Sequence, residues 1–175
     1  MTEFLSEGNI ELHREYTRGC ALRYSILEKS IPGISNKSMD EILRMPLSRA
    51  ERGDILSLLP ELELHRLYFL SFAKEKNPMS ARIREQFGSE VAFLNLLYRL
   101  AMGIEYGFIV VRARGRKIEC LATKDYSECF MRGTPMLAID VCEHAYFRDY
   151  GFDKRGYLVN ALPYLNINAI DQYLN

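Results

Sequence analysis

The chain has 175 residues, 48% of them hydrophobic and 26% charged, enough for a real core in one compact unit or in two small layers sharing a site. Its 23 basic and 23 acidic residues cancel, so no global field recruits nucleic acid or an anionic membrane, and steering of a small anion has to be local. No apolar run reaches the roughly 18 residues of a membrane span, and residues 1–11 lack a basic stretch followed by an apolar one, so no signal peptide and a cytoplasmic setting are expected.

Residues 8–31 carry no proline and read as a helix, with Leu12, Tyr16, Ala21, Leu22, Ile26 and Leu27 on an approximate 3.6 period. Pro32-Gly33 stops it. Residues 38–44 read as a short helix with Ser38 as N-cap. A second long helix is expected over 48–74, kinked or interrupted near Pro60, with Leu62, Leu64, Leu67, Tyr68, Leu70 and Phe72 buried. The charged, proline-terminated run 74–78 marks a boundary between an N-terminal helical hairpin, 1–78, and a C-terminal α+β domain, 79–175.

The second half opens with helices over 80–86 and 89–102. Residues 106–113 are aromatic and β-branched, hence a strand; Arg114-Gly115-Arg116 turns the chain, and 117–123 returns as a second strand. A third apolar run, 136–139, ends at Asp140. Short helices are expected over 143–150 and 158–165, with Asn168 capping a last one. Helices, then three antiparallel strands, then helices make an α+β chain rather than an alternating one. The four cysteines, Cys20, Cys120, Cys129 and Cys142, form no C-x-x-C pair and read as small buried hydrophobes rather than as a disulfide framework or zinc ribbon.

The chain holds only three histidines, His13, His65 and His144, and the third follows Asp140 by four residues. Singly, each is an ordinary helix histidine, and Asp140 with His144 is an ordinary helical pair. The block Asp140-Val141-Cys142-Glu143-His144-Ala145-Tyr146 resembles the metal-binding signature of the iron/manganese superoxide dismutases, an aspartate, any residue, a tryptophan, glutamate, histidine, a small residue and aromatics. Six of its seven positions agree, and Cys142 stands where the family has tryptophan. The resemblance extends through Gly133–x–Pro135 upstream, Phe87-Gly88-Ser89 at a helix start, residues 157–173 with Asn166 downstream, Leu64-His65-Arg66-Leu67-Tyr68-Phe69 and Glu11-Leu12-His13. It implies that His13, His65, Asp140 and His144 bind one iron or manganese ion per subunit. Three neutral imidazoles and one carboxylate leave a position for solvent, an arrangement suited to redox iron or manganese; zinc would fit but could not cycle between oxidation states.

The resemblance weakens around that set. Ala21 stands at the family's gateway tyrosine and Thr17 at a family histidine. Glu61 and Asp125 stand at the two places from which a family glutamine reaches the metal-bound solvent. Glu61 reads either as a proton acceptor at the site, whose charge would favour the trivalent ion, or as a helix carboxylate paired with an arginine. With no tryptophan in the chain, Phe69, Tyr106, Phe108, Cys142, Leu162 and Ile167 are expected to wall the site. Cys142 is a filler or an oxidisable group beside the ion. Glu143 resembles the family's bridge to the other subunit's ligand histidine, implying a two-fold homodimer, and Arg155 reads as an entrance cation for superoxide or as a plain surface arginine. The expected function is superoxide dismutation with Glu61, Tyr106, Asp125 and Arg155 in catalytic roles; a metal-binding relative with weak or altered redox chemistry and a structural subunit on this fold are the alternatives.

Overall fold

The computed structural model describes residues 3–74, 80–131 and 133–174; the expected boundary lies, beyond Lys74, outside them. Two long helices come first, α1 (Glu7–Ser30) and α3 (Arg49–Leu70), joined through the short α2 (Met39–Leu43). Serine side chains start all three: Ser6 accepts from Asn9 N–H, and Ser38 and Ser48 each complete a reciprocal capping box with a glutamate, Glu41 and Glu51. The helices run antiparallel. At the distal end Tyr24 and Leu27 pack over a small core of Ile31, Ile34, Ile42, Ile55 and Leu59, while at the proximal end His13 meets Tyr68 and Phe69.

The inward face of α1 differs from the expected one. Leu12, Tyr16, Leu22 and Ile26 are exposed, and the buried residues are Asn9, His13 and Cys20. Polar partners set this orientation. Asn9 Nδ2 donates to the Ala145 carbonyl at 2.6 Å, its Oδ1 accepts from Arg148 N–H at 3.1 Å, and Ser6 donates twice to Asp149. Buried polar groups must be satisfied, so these bonds rather than the leucines choose which face turns in. α3 runs through Pro60 without interruption and stops at Leu70, four residues short of the expected end. Ser71 bonds back to the Leu67 carbonyl and also accepts Ala138 N–H, and Phe72 forms a bridge with Leu165.

After α4 (Ala81–Phe87) and α5 (Glu90–Met102), each started by a capping serine, comes a three-stranded antiparallel sheet of order β2-β1-β3. β1 is Phe108–Arg114, β2 Lys117–Thr123 and β3 Thr134–Asp140, with a four-residue helix, α6 (Glu128–Met131), between the last two that no sequence signal announced. β1 is central and covered on both faces, so it reads as the continuous run Phe108-Ile109-Val110-Val111 instead of an alternation. Alternation still sorts the faces. Ile109, Val111, Leu137 and Ile139 join the core under α5, where Phe93, Leu97 and Ala101 are buried; Phe108, Val110 and Ala138 pack against Leu64, Leu67 and Tyr68 of α3. Asp140, two residues on from Ala138, therefore ends β3 on the α3 face.

The C-terminal segment is a 3₁₀ turn (Glu143–Ala145), α7 (Phe147–Tyr150), α8 (Lys154–Ala161), a second 3₁₀ turn (Leu162–Tyr164) and α9 (Ala169–Tyr173). The expected single helix over 143–150 is divided because Tyr146 leaves helical geometry at φ −144°. The helix expected from 158 begins earlier, because Asp153 accepts Gly156 N–H and caps it.

Candidate metal centre

Four elements deliver one side chain each to a single point. His13 comes from the second turn of α1, His65 from α3, Asp140 from the end of β3 and His144 from the turn that follows. One ligand atom from each lies within 4.8 Å of the others. Asp140 Oδ2 is the hub, 2.8 Å from His144 Nε2, 3.1 Å from His13 Nε2 and 3.4 Å from His65 Nε2. His65 Nε2 and His144 Nε2 stand 3.2 Å apart. Two nitrogens on one ion at ordinary bond lengths of about 2.1 Å sit roughly 3.0–3.4 Å apart when adjacent and about 4.2 Å when opposite. The cluster is therefore close to coordinating size and needs only small inward movements.

The surroundings leave the right lone pairs free. The Glu61 carbonyl takes the His65 Nδ1 proton at 2.7 Å, which puts an unprotonated Nε2 toward the cluster. Asp140 Oδ1 accepts Cys142 N–H at 2.8 Å, leaving Oδ2 as the inward oxygen. His13 is 1% exposed, and neither of its ring nitrogens has a hydrogen-bond partner among the described residues, although Nε2 is close to Asp140 Oδ2. A buried imidazole without partners is costly, and an ion on Nε2 would give it one.

Electrostatics agree. Burial alone would raise the Asp140 pKa, but the three histidine rings gathered around its carboxylate hold it well below the usual carboxylate value, so it stays ionised. Burial lowers the His13 pKa more than Asp140 raises it, keeping this ring neutral, as a ligand must be. For His65 burial pulls the same way, yet Asp140 and the Glu61 carbonyl outweigh it and raise its pKa.

A shell of aromatics encloses the cluster. Tyr68 and Phe69 lie 4.6 and 5.0 Å from the His13 ring, and Phe108 stands edge-on to His65 at 5.1 Å. Tyr157, fully buried, donates to the Asp140 carbonyl at 3.1 Å and meets the Tyr68 hydroxyl at 3.3 Å. On the open side, where the His144 side chain is 22% exposed, Tyr16 stacks on its ring at 4.0 Å and 15°. The Tyr16 hydroxyl donates to Glu61 Oε1 at 2.7 Å, and Arg23 stands 3.8 Å from Glu61 Oε2. Thus Glu61 combines both expected descriptions, a carboxylate beside the site that also has an arginine nearby.

Other expected residues sit elsewhere. Tyr106 is half-exposed ahead of β1, with Lys124 Nζ 4.3 Å above its ring. Asp125 is exposed and accepts from the Ser127 backbone and hydroxyl. Arg155 is exposed on α8. None of the three makes a described hydrogen bond or ring contact with the four clustered side chains. Leu162 and Ile167 belong to the core under α5. The Cys142 thiol is held from the strand side, accepting Gly107 N–H at 3.2 Å, and burial pushes its pKa up. Glu143 is exposed, as are Phe147 and Phe152, whose rings meet at 5.1 Å. Three residues were missed. Asn9 gave no signal, Tyr16 was read as a core position, and Tyr126, edge-on to Phe108 at 5.2 Å, follows the aspartate chosen in its place.

Residues 75–173 match the sequence model of the iron/manganese superoxide dismutases, C-terminal domain. The chain is 26% identical over 125 residues to "Superoxide dismutase [Mn], mitochondrial" of Aspergillus oryzae, covering 63% of this chain and 59% of that protein. It is 30% identical over 88 residues to "Superoxide dismutase [Fe] 2, chloroplastic" of Oryza sativa subsp. japonica, covering 48% of this chain and 34% of that protein. It thus spans less than two thirds of the length of either relative. Helical first half, three-stranded antiparallel sheet and matched C-terminal region agree, and the chain belongs to the iron/manganese superoxide dismutase family.

Proposed function

We propose that the chain binds one iron or manganese ion per subunit through His13, His65, Asp140 and His144 and converts superoxide to dioxygen and hydrogen peroxide. The observation that carries this reading is the meeting of every histidine in the chain with one buried, ionised aspartate. When bound, the ion supplies a redox couple that removes an electron from one superoxide and returns it to a second. The protein's own residues do the rest. Asp140 offsets part of the ion's charge, and the Glu61 carbonyl orients His65. Phe69, Phe108 and Tyr68 keep bulk water from three sides. The open side is the Tyr16 edge of His144, where the proton on Tyr16 Oη rests on Glu61 Oε1. Peroxide formation consumes two protons, and this pair holds one next to the approach. Arg23, beside Glu61, offers a local positive charge to an anionic substrate; Arg155, exposed on α8, is the second cation proposed to do so. The exposed Glu143 with Phe147 and Phe152 is the surface through which we propose the homodimer forms.

A second reading, metal binding with slow or altered redox chemistry, is favoured by the Glu61 carboxylate, whose negative charge near the ion stabilises the higher oxidation state. Elemental analysis with a dismutation assay, on the chain and on His65→Ala, separates the two. About one iron or manganese per chain with activity, both lost in His65→Ala, supports dismutation. Stoichiometric metal without activity supports the second reading. A folded, metal-free dimer would sink both and leave a structural role.

A further inference from the structure

Beside His13, and not lined by Asp140, lies a cavity of about 240 Å³ between the start of the chain, α1 and the end of α3. Its walls are the rings of Phe4, Tyr68, Phe69 and Phe72, tiled at centroid separations of 4.9 to 5.3 Å. Arg14 and Lys74, both exposed, also line it. Among the described residues no carboxylate lines it, and the nearby Glu11 is engaged by Arg18 at 2.5 Å. The Arg14 guanidinium lies 5.7 Å above the Phe69 ring, which brings its charge to the aromatic surface. His13 lines the cavity too, and its Nδ1 is buried with no partner among the described residues. An apolar, ring-lined hollow with two cations and one unpaired polar atom has the composition of a small-molecule site, and its volume admits a single-ring ligand.

We infer that this cavity binds a small aromatic carboxylate, its ring among Phe4, Tyr68, Phe69 and Phe72 and its charge toward Arg14 and Lys74. Of the four clustered side chains only His13 lines the cavity, so an occupant would alter one ligand's surroundings without competing for the ion. The inference does not depend on dismutation.

Benzoate, titrated into the 175-residue chain by calorimetry, and by imidazole-resolved NMR of the chain loaded with diamagnetic zinc, tests it. The chain has three histidines, so each ring is separately observable. Saturable binding is expected, with the His13 resonances moving and those of His65 and His144 moving less. Benzyl alcohol, similar in shape but neutral, should bind at least about tenfold more weakly, the loss of roughly 1.4 kcal/mol of charge attraction. Phe69→Trp fills the hollow and should abolish binding. Arg14→Gln and Lys74→Gln, both at exposed positions that leave the core intact, should each weaken benzoate but not benzyl alcohol. Absence of saturable benzoate binding, equal affinity for the alcohol, or a full response in Phe69→Trp would each overturn the proposal. Metal content and dismutation, measured on the same samples, report separately on the proposed function.

Discussion

At the scale of single residues, the polar side chains inside α1 do more than the apolar ones. Asn9 and His13 are one turn apart on the same buried face, and Asn9 ties that face to Ala145 and Arg148, the segment that also carries His144. Asn9→Ala leaves a buried carbonyl and an N–H without partners. It should lower stability by about 2 kcal/mol and loosen metal retention, read from the urea midpoint and from metal content after dialysis. Asn9→Asp keeps the acceptor for Arg148 N–H but sets a buried carboxylate oxygen against the Ala145 carbonyl, so it should cost at least as much. Tyr16 makes a different prediction. Tyr16→Phe keeps the ring on His144 and removes the proton donated to Glu61. Metal content should be unchanged while dismutation slows, most at high pH where protons are scarce; an unaltered rate across pH would show that the hydroxyl has no part in proton supply. Neither residue was assigned its role from the sequence. A periodic count ranks leucine above asparagine as a core residue, and Tyr16 differs from a packing tyrosine only through partners 45 and 128 positions away.

At the scale of elements, the serine-capped helix starts and the ends of α1 and α5 were legible, while the end of α3 and the starts of β1 and α8 were not. Ser38, Ser80 and Ser89 were each placed at the head of a helix, and each accepts a backbone N–H there. The end of α3 and the start of β1 depend on tertiary partners: Ser71 serves β3, and Gly107 delays the strand expected from Tyr106. Gly107 has φ +117°, and a Cβ there would meet the Thr123 carbonyl oxygen at 2.2 Å. Its carbonyl accepts Val141 N–H at 3.0 Å and its N–H reaches Cys142, so this residue holds the chain just beyond Asp140. Gly107→Ala should cost at least about 2 kcal/mol, and the same change at Gly115, a turn glycine with open space around it, should cost less. Chemical denaturation of the pair separates backbone strain from crowding.

At the scale of the whole molecule, the site was legible because it is sparse. Three histidines in 175 residues, all at positions resembling one family's ligands, marked the four side chains that the fold then brings within 4.8 Å. Of the polar rim only Glu61 was legible, since Tyr16 and Arg23 join it only once α1 lies against α3. Convergence of three separate segments makes the ion, when bound, a clasp between the helical half and the sheet half. An ion held at a thousand times its dissociation constant adds about 4 kcal/mol, which for a chain of this size is roughly 8–16 °C in melting temperature. Acid should remove that gain. In the ion-free chain His13, with its lowered pKa, contributes stability above the ordinary histidine value that is lost as pH falls through its folded pKa. His65, with its raised pKa, has the opposite sign, contributing below the ordinary value and losing it as pH rises through its folded pKa. The two losses fall in separate windows, His65's above the ordinary histidine value and His13's below it, and Asp140 stays ionised until pH falls below the ordinary carboxylate value. Between about pH 7.5 and about pH 5 the ion-free chain should therefore melt highest near the ordinary histidine value and lower on either side of it, while the loaded chain, whose imidazoles must remain unprotonated to hold the ion, converges on it toward acid. Melting curves of both forms across that range test the clasp directly, and a gap that persists undiminished at the acid end would show that the four side chains are not what holds the metal.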